Sequence, residues 1–132
     1  MCKTGDIIVV NNFKHNGVDL SRHSFVVLSD VSESIQGLDY DIVCNVMSSF
    51  KNEEQKRKKL SYPGNFPITY NQEDMTDGNR KSGFIKAEQF YYFNKEKTDF
   101  TVIGRLTEET FDLLIKFIEE LQIDVVNIVD NL

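Results

Sequence analysis

Residues 101–111 read TVIGRLTEETF, and the hydrophobic pattern changes within them from that of a strand to that of a helix. The residues before the glycine are β-branched, as in a strand. Thr107 can then cap a helix with its hydroxyl, and the two glutamates after it favour the positive end of the helix dipole. Apolar residues recur every three or four positions from there, at Phe111, Leu114, Ile115, Ile118 and Leu121. This spacing predicts a helix whose apolar face covers a β-structure.

Upstream, the chain consists of short apolar, β-branched runs separated by polar segments, which predicts a mainly β fold. The predicted strands are residues 7–10, 25–28, 41–46, 68–70, 83–86, 90–93 and 101–103. The polar segments 13–21 and 71–82 are predicted to be loops, and residues 31–39 are also polar. Residues 123–132 fit either a longer helix or a packed strand. We therefore expect a mainly β barrel, closed by a C-terminal helix, in a single domain over residues 1–132.

Length and composition restrict the class of protein. The chain has 132 residues, 40% of them apolar and 27% charged, which suits one globular domain. No apolar run approaches the ~18 to 20 residues that span a bilayer, and the N-terminus lacks a signal peptide's apolar stretch, so we expect a cytoplasmic location. Cys2 lies at an expected frayed end and Cys44 in an apolar strand, so we expect no disulfide. Their spacing does not suggest a zinc site, and no metal or other cofactor is expected.

The charge is acidic overall, with one basic exception. A net charge of −6 argues against a protein that coats nucleic acid through its overall field, so any such contact must be local. Residues 51–59 hold five basic residues and two glutamates. With Phe50 or Tyr62 as a stacking ring, this segment could track the phosphates of a single strand, and it could equally be a solvated or helical surface.

Four segments of the chain are informative in combination: residues 4–10 (TGDIIVV), 22–29 (RHSFVVLS), 41–49 (DIVCNVMSS), and 83–89 (GFIKAEQ) followed by 102–107 (VIGRLT). In this order they resemble the MazF/PemK family of toxin ribonucleases and the related toxins of RNA-antitoxin (type III) systems, over roughly residues 4–121. The third segment is similar to the family's strand that ends in a catalytic hydroxyl, and the fourth to the last barrel strands. The resemblance implies an SH3-like, PemK-type barrel. His23 stands where the family usually has proline, and Ser48 where many members have threonine.

The resemblance implies an endoribonuclease that cuts single-stranded RNA without a metal. RNA can be cut by its own 2′-hydroxyl if the protein moves two protons and stabilises the charge on the phosphate. The residues assigned to catalysis are Arg22 for the charge, Ser48 for positioning the phosphate, and His23 for proton transfer. Those assigned to RNA binding are Ser49, His15, Lys51, Lys56, Arg57 and Lys58. His15 or solvent is the alternative proton carrier, and Ser49 is the alternative to Ser48.

Each of these residues also has a structural explanation. Arg22 can be a solvated edge charge, either serine can cap a strand end, and His15 can be an exposed loop residue. Neighbouring side chains in a regular strand face opposite ways, so Arg22 and His23 are not expected to share a face. Tyr91, Tyr92 and Phe93 are not assigned to the site, because alternation places at least half of them in the core.

The family also implies partners, namely a single-stranded RNA substrate, a neutralising antitoxin that is a small protein or a structured repeat RNA, and a homodimer. Two other functions remain open from the sequence. The first is a non-catalytic RNA- or protein-binding module on the same barrel, which the acidic charge suits. The second is a member that assembles with its own repeat RNA, with residues 51–59 as the contact surface.

Overall fold

The protein is mainly β, with two helices, in a computed structural model that describes residues 2–69, 73–75 and 82–132. In chain order its elements are β1 (Asp6–His15), β2 (Val18–Ser29), β3 (Glu33–Ile35), β4 (Leu38–Tyr40), β5 (Ile42–Ser49), α1 (Glu53–Leu60), β6 (Asn65–Ile68), β7 (Glu73–Met75), β8 (Gly83–Lys86), β9 (Gln89–Phe93), β10 (Phe100–Leu106), α2 (Glu108–Glu119) and β11 (Val126–Ile128). Neither helix in these ranges is long and apolar enough to cross a membrane.

Nine strands form one sheet, ordered β11-β9-β5-β2-β1-β10-β7, and β3 pairs with β4 separately. The sheet forks at β5, whose first half pairs with β9 and whose second half pairs with β8, which in turn pairs with β6. The turn at Ala87 and Glu88 separates β8 from β9 and lets the two branches diverge. Across the described residues the strand order does not return on itself, so the expected closed barrel is not formed and the sheet is open.

A β-hairpin replaces the loop predicted at residues 13–21. Strand β1 continues to His15 and β2 begins at Val18, with Asn16 and Gly17 as a two-residue turn. Both turn residues have positive φ, 53° and 77°, as a type I′ hairpin requires. The polar composition of the segment reflects exposure of the hairpin and not an absence of strand.

Other boundaries also differ from the sequence prediction. Gln36 and Gly37 form a second turn with positive φ, so the polar residues 31–39 contain the β3–β4 hairpin. Residues 73–75 of the predicted loop 71–82 form β7, paired with the end of β10. The strand predicted at residues 68–70 is instead β6, which starts three residues earlier and ends at Ile68, and Tyr70 lies outside the described residues.

The central strands are buried on both faces, which explains their continuous apolar runs. On one face, alternate residues such as Ile8, Phe25 and Cys44 build a first core with Tyr91 and Phe93. Cys2 is also buried there, so the expected frayed end is wrong; both cysteines are free, and burial raises the pKa of each thiol.

The other face carries a second core that α2 covers. Ile7 and Val26, one residue out of phase with the first core, pack there with Leu114 of α2. The predicted helix is confirmed: the Thr107 hydroxyl accepts a hydrogen bond from the Thr110 N–H at 3.3 Å. Phe111, Ile118 and Leu121 also pack on this core, as their spacing indicated, whereas Phe117 packs there and the predicted Ile115 does not.

The C-terminal segment 123–132, for which helix and strand remained open, contains β11. This short strand pairs in parallel with β9, with Ile128 opposite Tyr91. Ile128 is buried in the first core, so the tail is packed against the sheet.

Candidate functional site

A cleft of about 500 Å³ opens at the end of the first core. Four parts of the chain form it: the β1–β2 hairpin, the end of β5, the β8–β9 branch and the tail. Its lining residues are Phe13, His15, Asn16, Leu20, His23, Val46, Ser48, Lys86, Gln89, Tyr91, Val126, Asn127, Ile128 and Asp130. Three residues that the sequence analysis singled out, His15, His23 and Ser48, therefore line one cleft.

Strand alternation explains why His23 and Ser48 meet. His23 is two residues from Phe25 on β2, and Ser48 is two residues from Val46 on β5, and both of those apolar residues belong to the first core. The β2–β5 register pairs Ser24 with Met47. Continued by one residue, that register places His23 opposite Ser48.

His15 reaches the cleft because β1 extends to the hairpin turn. It lies two residues beyond Phe13, about 7 Å along the strand, and so on the same face. The Phe13 ring contacts the His23 ring with a centroid separation of 4.9 Å. Phe13 thus contacts the His23 ring and lines the cleft together with both histidines.

Neither histidine is fixed by a hydrogen bond at its Nδ1 atom. The Nδ1 atoms of His15 and His23 are both buried and make no hydrogen bond in the structure. A hydrogen bond at one ring nitrogen normally sets which nitrogen carries the proton. In this structure no hydrogen bond at Nδ1 therefore fixes which ring nitrogen of His15 or of His23 carries the proton.

Lys86 supplies a cation that the sequence analysis missed. It lies at the end of β8, which pairs with β5 through Ile85 and Met47. The next step of that register places Lys86 beside Val46, on the cleft face. The signal was present in the sequence, because Lys86 follows an apolar strand just as Ser48 does.

Arg22 and Ser49 lie on the other face of the sheet. Arg22 alternates with Val26, which belongs to the second core, and its side chain is exposed. The β2–β5 register, continued by two residues, places Arg22 opposite the exposed Ser49. The structure thus separates Arg22 from His23 and Ser48, as alternation indicated, and neither Arg22 nor Ser49 lines the cleft.

The basic segment forms helix α1, none of whose residues is buried. Asn52 caps it, glutamates occupy the first turn, and basic residues including Arg57 and Lys58 occupy the last, an order that the helix dipole favours. The dipole accounts for this distribution of charge without any ligand.

A second groove, of about 430 Å³, runs beside α1 and is called the basic groove here. It is lined by Phe50, Lys51, Asn52, Glu53, Lys56 and Ser82. The Phe50 ring stacks on Phe84 at 5.4 Å, and the Lys56 ammonium lies 6.0 Å from the Phe50 ring centroid. Because Phe84 pairs directly with Ser48, the basic groove begins next to the cleft.

Tyr91 forms a wall of the cleft and stays protonated. Its hydroxyl donates a hydrogen bond to Gln89 Oε1 at 2.8 Å. Burial, together with the nearby charges of Glu88 and Asp130, raises the pKa of Tyr91 to about 12. Tyr91 is therefore a hydrogen-bond donor near neutral pH and not a base. Tyr92 and Phe93 are buried.

No protein-family model matches the sequence, and no curated protein matches it either. In the ranges that the structure describes, no three His, Cys, Asp or Glu side chains are grouped so that they could hold a metal ion. The cleft is lined by two imidazoles, a hydroxyl and an ammonium group, those of His15, His23, Ser48 and Lys86.

Proposed function

We propose that the protein is a toxin-type endoribonuclease that cuts single-stranded RNA at the cleft. The observation that carries the proposal is the meeting of His15, His23, Ser48 and Lys86 in one cleft. The sequence resemblance to the MazF/PemK family supports the same reaction class. On this proposal the open sheet and α2 are a variant of the PemK-type, SH3-like fold, and the protein acts in the cytoplasm on mRNA.

The reaction needs a base, an acid and a positive charge. One imidazole takes the proton of the 2′-hydroxyl, whose oxygen attacks the adjacent phosphorus, and the other protonates the departing 5′-oxygen. A bond from the 2′-oxygen to phosphorus forms as the bond to the 5′-oxygen breaks, giving a 2′,3′-cyclic phosphate and a 5′-hydroxyl. These steps require no metal.

Lys86 and Ser48 act on the phosphate itself. The ammonium group of Lys86 balances the charge that builds on the non-bridging oxygens, and the Ser48 hydroxyl donates a hydrogen bond to one of them. The resemblance gives the charge role to Arg22. We give it to Lys86, because Lys86 lines the cleft and Arg22 lies on the opposite face.

The basic groove extends the proposed site along the RNA. Lys51 and Lys56 line it, and Arg57 and Lys58 are on the same helix. Phe50 supplies a ring for a base, and cations beside an aromatic ring are typical of single-strand binding. This local arrangement lets a chain of net charge −6 hold RNA.

A matched pair of variants tests the assignment of the charge role. With chelator present and a mixed-sequence single-stranded RNA, Lys86→Ala is expected to lower kcat about 100-fold, as the loss of a donor to a developing oxyanion does. Arg22→Ala removes a cation from the other face and is expected to change kcat less than threefold. A large loss for Arg22→Ala with none for Lys86→Ala would contradict the assignment.

The acidic net charge favours one other candidate, a binding module that recognises RNA or a protein without cutting. It is distinguished by tight RNA binding with the RNA intact after long incubation. The family's other implied partners, an antitoxin of protein or RNA and a second copy of the chain, belong to the proposal. Copurification with each tests them.

A further inference from the structure

The two residues on either side of His15 are both held by the end of the chain. The Asn131 side chain makes two hydrogen bonds to Lys14: its Oδ1 accepts from the Lys14 N–H at 2.8 Å, and its Nδ2 donates to the Lys14 carbonyl at 3.0 Å. The Asp130 carboxylate accepts a hydrogen bond from the Asn16 N–H. Asn131 thus pairs with Lys14 as a neighbouring strand would. We call these three hydrogen bonds the tail clasp.

The other end of the tail is fixed to β9. Strand β11 pairs with β9, and the Val126 N–H donates to the Glu88 carbonyl at 2.8 Å. Ile128 is buried in the first core. The tail is therefore anchored to β9 before it reaches the hairpin. The hairpin backbone that the tail clasp binds is thereby fixed in position relative to β9.

The hairpin tip needs this support because the sheet gives it little. Strand β10 pairs with β1 only as far as Val10, and β5 pairs with β2 only from Ser24 onward. Among the strands that the structure describes, β2 alone pairs with the part of β1 from Phe13 to His15. A two-stranded hairpin without further strands is marginally stable in water.

The tail clasp also links strands that are not neighbours in the sheet. Strands β9 and β1 are separated in the sheet by β5 and β2. The tail nevertheless joins β9 to the tip of β1, by strand pairing at one end and by side-chain hydrogen bonds at the other. The wall of the cleft that carries His15 is thereby connected to the wall that carries Gln89 and Tyr91.

We propose that Asn131 and Asp130 are positioning residues that hold His15 in the cleft through the backbone of its two neighbours. Neither side chain carries out a chemical step. The inference rests on the proposed function for the role of His15 in RNA cleavage, whereas the mechanical link between tail and hairpin stands on the hydrogen bonds themselves.

The link is tested first without reference to activity. In Asn131→Ala, amide hydrogen exchange at Lys14 is expected to accelerate about tenfold, since the side-chain oxygen that accepts from the Lys14 N–H is lost. The His15 ring signals in NMR are expected to shift. Gln122→Ala is the matched control, because it removes an exposed amide that donates to the Glu120 carbonyl at the end of α2 and does not reach the hairpin. Unchanged exchange and unchanged His15 signals in Asn131→Ala would overturn the inference.

The effect on cleavage is tested by a double-mutant cycle. Asn131→Ala is expected to lower kcat about 10- to 100-fold with less change in KM, because a misplaced catalytic group costs rate more than binding. In a His15→Ala background the same substitution is expected to have little further effect, whereas a general loss of stability would lower both backgrounds equally. An equal loss in both would refute the positioning role. Asn131→Gln, which keeps the amide's acceptor and donor, is expected to recover part of the rate.

The two proposals fail in different ways. If the parent protein cuts no RNA, the proposed function fails, and the exchange and NMR measurements alone decide whether the tail holds the hairpin. If the parent cuts RNA and Asn131→Ala cuts it as fast, the proposed function stands and the positioning role fails.

Discussion

Among the residues of the first core, Phe25 is expected to contribute most to the free energy of unfolding. The Phe25→Ala variant measures that contribution. Its side chain is fully buried, and its ring makes edge-on contacts with Phe13, Tyr91 and Phe93 at centroid distances of 5.1, 5.3 and 5.1 Å. Truncating a buried Phe costs about 3–5 kcal/mol in free energy of unfolding. Each aromatic pair adds about 0.5–1.5 kcal/mol beyond its buried area, so we expect the upper part of that range.

The expected loss converts into a shift in Tm. An unfolding entropy of about 2.1 cal/mol/K per residue over 132 residues gives about 0.28 kcal/mol/K, so a loss of about 4–5 kcal/mol lowers Tm by about 15 °C. Thermal unfolding followed by circular dichroism measures the shift. An unchanged m-value in urea unfolding confirms that the parent and the Phe25→Ala variant expose the same surface on unfolding.

Phe90→Ala is the matched control, because it removes the same type of side chain from β9, which belongs to the same sheet. Phe90 is half-buried and belongs to neither core. Its truncation is expected to cost about 1–2 kcal/mol, or roughly 5 °C. Equal shifts for the two variants would refute the reasoning that Phe25 is the centre of the core beneath the cleft.

Three further outcomes are expected. Because the pKa of Tyr91 in the folded protein is raised to about 12, its contribution to stability is full below pH 10 and is lost as pH rises toward 12. The Tyr91→Phe variant should therefore show a smaller fall in Tm at alkaline pH. An equal fall in the variant and the parent would contradict the raised pKa. Gly83→Ala places a Cβ 2.0 Å from the Ser48 carbonyl oxygen, so β5 and β8 must separate; we expect a loss of about 1–3 kcal/mol in urea unfolding, and native stability would show that the strands are not so close. Lys56→Ala with Arg57→Ala should lower the slope of log affinity against log salt by about 1.4 for single-stranded RNA, and an unaltered slope would remove α1 from the RNA contact.

The elements that follow from local patterns were predictable. The Thr107 cap and the spacing of Phe111, Leu114 and Ile118 determine a helix and its buried face, and the structure has both. The β-branched runs around Val9 and Phe25 are strands, because residues buried on both faces of a sheet must be apolar throughout.

The hairpin that depends on turn chemistry could have been predicted from the sequence, but a loop was predicted there. Asn16 and Gly17 are a strong hairpin signal, and counting their polar neighbours as loop concealed it. The same error placed His15 in a loop, whereas the strand brings it to the cleft.

The arrangement of the site depends on long-range register that one sequence does not contain. Alternation correctly separated Arg22 from His23, but only the pairing of β5 with both β2 and β8 brings Ser48 and Lys86 together with His23. The tail clasp joins residues 117 positions apart, which no local pattern indicates. The expected barrel closure also depends on long-range pairing: β5 pairs with both β8 and β9, and the strand order of the described residues does not return on itself.

The most direct test of the central claim compares two oligonucleotides that differ by one atom. Metal-free protein is incubated, with chelator, with a single-stranded RNA that it cuts once and with the same RNA carrying a 2′-deoxy nucleotide at the cut. The expected result is a 2′,3′-cyclic phosphate and a 5′-hydroxyl from the first, none from the second, and at least about a 100-fold loss for His23→Ala on the first. Intact RNA in every reaction, or equal cleavage of the deoxy substrate, would contradict the claim that this cleft cuts RNA through its own 2′-hydroxyl.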